Sequence, residues 1–236
     1  MKQLKKALEA LGISADEKTM ERFETYRREI LQWNGKVNLT AIKDPEEFER
    51  KHFIDSLMCA DHPGFRESRK IIDVGTGAGF PGLPLAICFP EKDFILLDSL
   101  NKRILILNEV IGLLGLGNVK AVHGRAEDLA QSPQHREKYD LCVSRAVADL
   151  AVLSEYCLPF VRTGGFFAAY KSKKAMEEIQ RSEKAVNLLG GSIKGIVIPS
   201  IEGADFDHNI VWIEKNRSTE KKYPRKAGTP EKSPLS

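Results

Sequence analysis

Residues 71–82 read Ile-Ile-Asp-Val-Gly-Thr-Gly-Ala-Gly-Phe-Pro-Gly, which places an apolar run directly before a turn rich in glycine. This order predicts a buried strand, a tight turn and the start of a helix. Glycine lets the backbone of such a turn approach a ligand at the carboxyl edge of a parallel sheet. We call residues 75–82 the glycine loop. A tight structural turn that holds no ligand is the alternative interpretation.

Two glycine patterns overlap in the glycine loop. Gly77, Gly79 and Gly82 match Gly-x-Gly-x-x-Gly, but this match begins three residues after the strand, whereas the dinucleotide-binding fingerprint has its first glycine at the turn itself. The frame that begins at Gly75 reads Gly-x-Gly-x-Gly after an acidic strand end, which is typical of methyltransferases that use S-adenosylmethionine. Gly75, Gly77 and Gly79 are therefore predicted to line a cofactor site.

Short β-branched runs alternate with helical stretches from about residue 70 onward. This alternation predicts a parallel sheet with helices on both faces. The last two strands are joined by a short segment, which permits antiparallel pairing and excludes a crossover. The predicted fold is thus an α/β, Rossmann-like sheet, mostly parallel, with an antiparallel hairpin at its end. Strands are predicted at Lys70–Val74, Asp93–Asp98, Val119–His123, Tyr139–Arg145, Gly165–Tyr170, Ile193–Pro199 and Asn209–Lys215, with helices near 82–89, 101–116, 125–131, 148–158 and 174–188.

The beginning of the chain predicts helices rather than strands. Leu4, Leu8 and Leu11 share one helical face, and Ser14 with Glu17 fits a capping box that opens a second helix. We interpret this region as an amphipathic helical cap. The predicted division of the chain is a helical cap at residues 1–50, a cofactor-binding domain at 51–215 and a C-terminal tail at 216–236.

Composition restricts the possible classes of protein. The chain has 236 residues, of which 42% are hydrophobic, enough for one α/β domain with an extension. Four widely spaced cysteines without a Cys-x-x-Cys pair exclude a zinc ribbon and a disulfide scaffold and suit a reducing cytosol, so we expect no metal. No apolar run reaches the roughly 18–20 residues of a membrane span, and the first residues lack the apolar core of a signal peptide. We expect a cytoplasmic protein that does not bind membranes.

Positive charge is concentrated at the end of the chain. Residues 215–236 contain seven basic and two acidic residues, which more than accounts for the net charge of +3 of the whole chain. One interpretation of the tail is a solvated, disordered extension, and the other is an arm that binds phosphates. Such an arm would use Lys221, Lys222, Arg225 and Lys226.

Acidic residues follow two further predicted strands. Asp98 ends the strand after the glycine loop, where a carboxylate can accept hydrogen bonds from both ribose hydroxyls of a nucleoside. The alternative is a helix N-cap, because Asn101 opens the next helix. Beyond the third strand, the backbone at Ala126 and the acid of Glu127 could meet an adenine edge. Because the carboxyl ends of parallel strands lie at one edge, these elements together predict a nucleoside site.

The fourth predicted strand ends where a methyl acceptor would bind. It lacks the Pro-Pro-aromatic clamp of exocyclic-amine methyltransferases. Cys142 lies inside an apolar strand, not in the Pro-Cys turn of carbon-5 pyrimidine methyltransferases, so we interpret it as a core residue. Arg145 places an obligate cation at the mouth of the cleft, and a surface salt bridge is the alternative interpretation.

Taken together, these segments resemble one family, the bacterial small-subunit ribosomal RNA guanine-N7 methyltransferases, also called glucose-inhibited division protein B. The resemblance covers about residues 20–235. It rests on the glycine loop and the Asp-Val before it, combined with several shorter segments. These are Trp-Asn at 33–34, Asn-Leu-Thr-Ala-Ile at 38–42, His-Phe-Ile-Asp-Ser-Leu at 52–57, Ser-Arg-Ala at 144–146 and Arg-Lys-Ala-Gly-Thr-Pro at 225–230.

The resemblance implies a class I methyltransferase that uses S-adenosylmethionine and methylates N7 of guanine 527, in the 530 loop of 16S rRNA. It implies that Gly75 and Phe80 line the cofactor site and that Ala126 and Glu127 meet the adenine. It further implies that Arg145 reaches the cofactor or the target base. The residues implied in substrate binding are Asn38, Lys171, Lys221, Lys222, Arg225 and Lys226.

Two positions depart from the family pattern. Ser172 stands where glycine is expected, and Glu231 stands in the tail where the family tends to carry another lysine. The second departure bears on how strongly the tail binds RNA and not on the reaction.

The expected chemistry agrees with the absence of a predicted acid–base pair. Guanine N7 has an in-plane lone pair and no proton to lose, so its methylation depends on positioning and electrostatics. We therefore interpret His52 and His123 as structural residues. Two other functions stay open: an NAD(P)-dependent oxidoreductase, although no Tyr-x-x-x-Lys pair is evident, and a non-catalytic RNA- or nucleotide-binding module. We expect the protein to be a monomer.

Overall fold

The computed structural model describes residues 1–145, 148–172, 175–199, 201, 206 and 208–235. Ala146 of the predicted Ser-Arg-Ala segment and most of the last interstrand connection lie outside this part of the chain. The described strands are β1 (Lys70–Val74), β2 (Asp93–Asp98), β3 (Val119–His123), β4 (Tyr139–Arg145), β5 (Val161–Ser172), β6 (Gly191–Val197) and β7 (His208–Lys215). They form one sheet in the order β3-β2-β1-β4-β5-β7-β6.

Helices cover both faces of this sheet and form the N-terminal region. The α-helices are α1 (Lys2–Ala10), α2 (Glu17–Asn34), α3 (Pro45–Phe48), α4 (Asp55–Leu57), α5 (Pro63–Arg66), α6 (Gly82–Cys88), α7 (Asn101–Leu113), α8 (Ala126–Leu129), α9 (Leu150–Cys157), α10 (Ala175–Leu188) and α11 (Thr229–Lys232). A π-helical turn at Glu49–Ile54 joins α3 to α4, and a 3₁₀ turn at Leu158–Phe160 follows α9.

The predicted α/β, Rossmann-like fold is confirmed. β1 pairs in parallel with β2 and β4, and the parallel part continues through β3 and β5. β7 runs antiparallel to both β5 and β6, as the short connection between the last two strands predicts. β1 to β4 have the predicted bounds. β5 is longer than predicted because its ladder extends to Val161 opposite Tyr139 and to Ser172 opposite His208, beyond its apolar run.

The two faces of the sheet bury separate apolar clusters. One cluster lies under the helical cap and includes Phe23, Tyr26 and Phe53, all fully buried. The other lies under α9 and α10 and includes Phe160 and Cys142. The interpretation of Cys142 as a core residue is confirmed, and burial raises the pKa of its thiol well above the usual value. A thiol that stays protonated is a poor nucleophile.

The helical cap packs through α2 against α6 and α7, the helices that cover this face of the sheet. This helix begins with Asp16 as its N-cap, because the Asp16 side chain accepts a hydrogen bond from Thr19 N at 2.7 Å. The predicted capping box at Ser14 is therefore wrong by two residues. The helix ends at Asn34, as predicted. Helical structure continues through the π-helical turn and α5, past the predicted domain boundary at residue 50.

The tail is folded against the domain, so the interpretation as a disordered extension is wrong. Arg136 fixes its first part by donating hydrogen bonds to the carbonyl oxygens of Thr219, Glu220 and Tyr223. Lys215, counted among the basic residues of this region, is wholly buried at the end of β7. Its ammonium group contacts Leu158 O at 2.6 Å, and burial lowers its pKa to about 8.

No helix in the described part of the chain is both long enough and apolar enough to span a membrane.

Candidate active site

Hydrogen bonds to β2 fix the conformation of the glycine loop. Gly75 N and Thr76 N both donate hydrogen bonds to Leu97 O, and Gly77 N donates to Asp98 Oδ2 at 2.9 Å. Gly75 and Gly77 have φ angles of 74° and 62°, in the left-handed region that favours glycine. The loop therefore presents bare backbone at the carboxyl edge of the sheet.

Asp73 anchors the glycine loop from below. Its Oδ2 accepts hydrogen bonds from Thr76 Oγ1 at 2.7 Å and from Gly82 N at 2.8 Å. Its Oδ1 is buried and has no hydrogen-bond partner among the described residues. Burial raises the pKa of this carboxyl to about 7. The acid at the end of β1 thus ties the turn to the start of α6.

The helical cap touches the glycine loop through Tyr26. The Tyr26 hydroxyl donates a hydrogen bond to Ala78 O at 2.7 Å, and a Cβ placed on Gly79 would lie 2.6 Å from the same hydroxyl. Glycine at position 79 therefore permits the close approach of the cap. No pattern in the sequence connects Tyr26 with the site.

A cavity of about 210 Å³ opens beside the glycine loop, and we call it the cofactor cavity. It brings together four of the residues predicted to bind the cofactor: Gly75, Asp98, Ala126 and Glu127. The remaining lining residues are Val74, Leu97, Ser99, Gly124, Arg125, Ala148, Tyr156 and Glu231. The predicted convergence of three strand ends at one edge is thus present in the fold.

A larger cavity, of about 360 Å³, lies at the opposite edge of the sheet and is lined by Lys70, Lys120 and Lys138 among others. It lies at the amino ends of the strands. Parallel sheets bind their ligands outside the carboxyl ends, so we assign the cofactor cavity as the candidate site.

Asp98 contacts both the loop and the next helix. Besides Gly77 N, its carboxylate accepts a hydrogen bond from Leu100 N at 2.9 Å and contacts Arg103 Nη1 at 3.2 Å. Asp98 therefore caps the next helix, as one interpretation predicts, and also lines the cofactor cavity. A carboxylate has about four lone-pair sites, so three protein donors leave capacity for a ligand hydroxyl.

Glu127 is bound by the tail. Its Oε1 accepts a hydrogen bond from Gly228 N at 3.0 Å, and its side chain lies in the cofactor cavity. Glu231 of α11 lines the same cavity, which no pattern in the sequence predicts. The residues that link the tail to this cavity lie about 100 positions apart in the chain, and no local pattern connects them.

Arg145 and Phe80 lie beside the cofactor cavity, not in its wall. The Arg145 guanidinium forms a buried ion pair with Asp55, with Nη1 2.9 Å from Oδ2. It also donates to Lys51 O and lies 5.1 Å from the centre of the Phe80 ring. The alternative interpretation of Arg145 as part of a surface salt bridge is correct about the salt bridge but wrong about its place. The pair is buried between the sheet and the cap.

His52 completes this cluster as a neutral ring. It stacks on Phe80 with ring centroids 4.4 Å apart, and its Nε2 lies 2.6 Å from Thr40 Oγ1. Burial and the nearby Arg145 lower the pKa of His52 to about 3. Its Nδ1 faces Arg145 Nη2 at 3.4 Å, so the neutral ring accepts there and donates to Thr40.

The residues predicted to bind the substrate lie in different environments. Asn38 is exposed in the loop after α2, and Lys221, Lys222 and Lys226 are exposed on the tail. Lys171, at the end of β5, is buried and pairs with Glu178 at 2.7 Å.

Arg225 differs from the other basic residues of the tail. It holds Glu155, a fully buried carboxylate, through contacts of 2.9 Å from Nε and 2.6 Å from Nη2. Its backbone N–H donates to the same carboxylate. Arg225 therefore has a structural role, because a phosphate would have to replace a buried ion pair.

Comparison with known protein families gives a match to the family described as GidB, rRNA small subunit methyltransferase G, over residues 19–203. Two curated relatives carry the name ribosomal RNA small subunit methyltransferase G. The one from Clostridium tetani is 50% identical over 232 residues, covering 98% of this chain and 97% of its own. The one from Alkaliphilus metalliredigens is 49% identical over 235 residues, with the same coverage.

Solved structures with the same fold are more distant in sequence. An O-methyltransferase from Bacillus cereus in complex with SAH has a TM-score of 0.54 and 20% identity, covering 80% of this chain and 90% of that one. A SAM-dependent O-methyltransferase from Thermotoga maritima has a TM-score of 0.51 and 15% identity, covering 81% of this chain and 72% of that one. At these identities the likeness concerns the fold alone.

Proposed function

Because this chain belongs to the GidB family of rRNA small subunit methyltransferase G, we propose that it methylates N7 of guanine 527 in 16S rRNA. Membership of the family makes the chain an rRNA methyltransferase that uses S-adenosylmethionine. The nucleotide and the atom follow from the resemblance described above. The observation that carries the proposal is the meeting of Gly75, Asp98 and Glu127 in one cavity at the carboxyl edge of the sheet. The relatives named above give no support to an oxidoreductase or a non-catalytic module.

The residues of the cofactor cavity fit the chemistry of S-adenosylmethionine. Asp98 and Glu127 offer carboxylate oxygens, which are the acceptors that ribose hydroxyls and the adenine amine need. Gly75 has no side chain to block the approach of a ligand to the loop backbone. Carboxylates also suit a ligand that carries a positive sulfonium. When bound, this cofactor supplies the electrophilic methyl group.

The reaction requires orientation and no general base. N7 attacks with its lone pair and has no proton to transfer, so the chain has to align the base with the methyl group. We assign this role to Arg145, whose guanidinium is held between Asp55 and the Phe80 ring. His52, with a pKa of about 3, is neutral near pH 7 and positions Arg145 without exchanging protons.

RNA capture is assigned to the tail. Lys221, Lys222 and Lys226 are exposed and lie on the segment that also contacts the cofactor cavity. Phosphate contacts of this kind position the substrate without reading its sequence. Asn38 and Lys171 remain proposed substrate contacts, and Lys171 would have to exchange its bond to Glu178 for one to RNA.

The proposed substrate places the enzyme with ribosomes, in the cytoplasm, where we expect it to act as a monomer. Size-exclusion chromatography with light scattering tests the monomer. A mass of about twice 26.4 kDa would contradict it.

The function is tested by methyl transfer to small ribosomal subunits that lack the modification. Labelled S-adenosylmethionine, the protein and these subunits are incubated, and the RNA is then cleaved with borohydride and aniline, which act at N7-methylguanosine. We expect one new cleavage at guanine 527. Transfer to another nucleotide, or label without cleavage, would contradict the proposed atom or site.

A further inference from the structure

We propose that Glu231, which the segment Arg225–Glu231 brings into the wall of the cofactor cavity, is a cofactor-binding residue of the adenosine site. This inference rests on the proposed function, since it assigns S-adenosylmethionine to the cofactor cavity. It adds part of the tail to a site otherwise built from strand ends and the glycine loop.

The first observation is that the segment is attached to the domain at two points, one of which is in the wall of the cavity. Arg225 is tied to Glu155 of α9, a side chain with no exposed surface. Three residues later, Gly228 N donates to Glu127 Oε1 at 3.0 Å. Glu127 is the residue that the family resemblance places at the adenine. The segment therefore crosses from α9 to the adenine side of the cavity on two separate attachments.

The second observation is the position of Glu231. Its side chain lines the cofactor cavity together with Glu127 and Tyr156. Burial raises the pKa of the Tyr156 hydroxyl to about 12, and the negative charges of Glu127 and Glu231 contribute to this rise. All three residues line this cavity, and we assign their part of its wall to adenosine. Glu231 has no protein donor among the described residues, so its oxygens are available to a ligand.

The chemistry of this part of the wall suits the adenosine part of the ligand. Adenine presents an exocyclic amine with two N–H donors, and ribose presents two hydroxyls. Glu127 Oε1 is already occupied by Gly228, so the second oxygen of Glu127 and the carboxylate of Glu231 are the acceptors that remain. Arg125 is the basic residue in the wall, against the acids Asp98, Glu127 and Glu231, and this balance favours a ligand rich in donors.

The test is calorimetric titration of the full chain with S-adenosylmethionine, S-adenosylhomocysteine and adenosine. The variant is Glu231→Gln, which keeps the size of an exposed side chain and removes its charge. The matched control is Glu220→Gln, an exposed acid of the same tail that pairs with Lys222 outside the cavity. Loss of a charge-assisted hydrogen bond predicts affinity about tenfold weaker for all three ligands in Glu231→Gln, and wild-type affinity in the control.

A second variant tests the attachment of the segment. Arg225→Lys keeps the charge opposite Glu155 but loses the two-pronged contact. We expect it to weaken binding of all three ligands although Arg225 touches none of them. Wild-type affinity of Glu231→Gln for adenosine would overturn the inference, whether or not S-adenosylmethionine binds more weakly. If the wild-type chain bound no S-adenosylmethionine, the proposed function would fail, and this inference with it.

Discussion

Arg145 and Asp55 form an ion pair 2.9 Å long in which both side chains are less than a tenth exposed. The pair joins the end of β4 to the helix beneath the cap, 90 residues earlier in the chain. Asp55 also lies 3.0 Å from His208 Nδ1, so one carboxylate oxygen holds two side chains at the proposed acceptor site. The orientation of Arg145 therefore depends on Asp55.

The first prediction concerns this pair. Asp55→Asn keeps the shape of the side chain but removes its charge, which releases the guanidinium from its position over Phe80. We expect methyl transfer to fall by an order of magnitude or more, while the affinity for S-adenosylmethionine changes little because Asp55 does not line the cofactor cavity. Loss of a buried partner should also lower stability, by up to about 3–5 kcal/mol.

The control for Asp55 is Asp61→Asn, an exposed acid paired with Arg66. This variant should change neither the rate of methyl transfer nor the stability. Single-turnover transfer and thermal unfolding are measured for both variants. If folded Asp55→Asn kept full methyl-transfer activity, Asp55 would not be needed to position Arg145.

The second prediction concerns Asp98. Asp98→Ala should weaken S-adenosylmethionine binding by roughly 10- to 150-fold, since a hydrogen bond to a charged group is worth about 1.5–3 kcal/mol. Because Gly77 N and Leu100 N lose their acceptor, the melting temperature should also fall by about 2–10 °C. Asp93→Ala, at the exposed start of the same strand, is the control. Equal calorimetric affinities of the two variants for S-adenosylmethionine would contradict the assignment of Asp98 as a cofactor-binding residue.

The third prediction concerns the tail. Each phosphate contact adds about 0.7–0.9 to the slope of log affinity against log salt. Replacing Lys221, Lys222 and Lys226 with Ala should flatten the slope for rRNA binding by about two, without changing S-adenosylmethionine affinity. Arg225 is left intact because it holds Glu155. The matched control replaces Lys70, Lys120 and Lys138, exposed at the opposite edge of the sheet. An unchanged slope in the tail variant would assign RNA capture to the cap and the cleft.

The fourth prediction concerns pH. Burial raises the pKa of Asp73 from 3.8 to about 7 in the folded protein. Between these values the native state holds a proton that the unfolded state has lost, so the contribution of Asp73 to the free energy of unfolding falls as pH rises. His52, whose folded pKa is lowered to about 3, contributes the opposite slope between pH 3 and 6.5.

Comparison of the wild-type protein with Asp73→Asn isolates the first of these groups. Denaturant unfolding at several pH values between about 4 and 7 should give a difference in stability that shifts in favour of the variant as pH rises. His52 is present in both proteins and cancels from the difference. A difference that does not change with pH would show that Asp73 is ionised in the folded protein.

Local patterns predicted the sheet well because each parallel strand is a short apolar run between turn signals. β6 was placed two residues late, since this edge strand has few buried residues to mark its bounds. Gly75, Asp98 and Glu127 could be assigned to one site because strand ends in a parallel sheet converge. The order of the strands is enough to bring these three residues together.

The remaining site residues could not be predicted in this way. The charge of Arg225 does not reveal whether its partner is a phosphate or a buried carboxylate, and only packing brings Glu155 to it. Glu231 reaches the cavity because the tail contacts Glu155 and Glu127, which lie far from it in the chain. Tyr156 reaches the cavity from α9. The sequence predicts Arg145 at a strand end, as the structure shows, but no local pattern indicates that Asp55 is its partner.

The position of β7 has a consequence for synthesis of the chain. β7 is the last of the described strands in chain order, yet it lies between β5 and β6. Until it is made, both of those strands keep an open edge of unpaired backbone groups, which is a template for aggregation. The tail, which follows β7, then attaches to Glu155 and Glu127. A growing chain therefore cannot close its sheet until β7 has been made, because β7 supplies the only partner of β6 among the described strands.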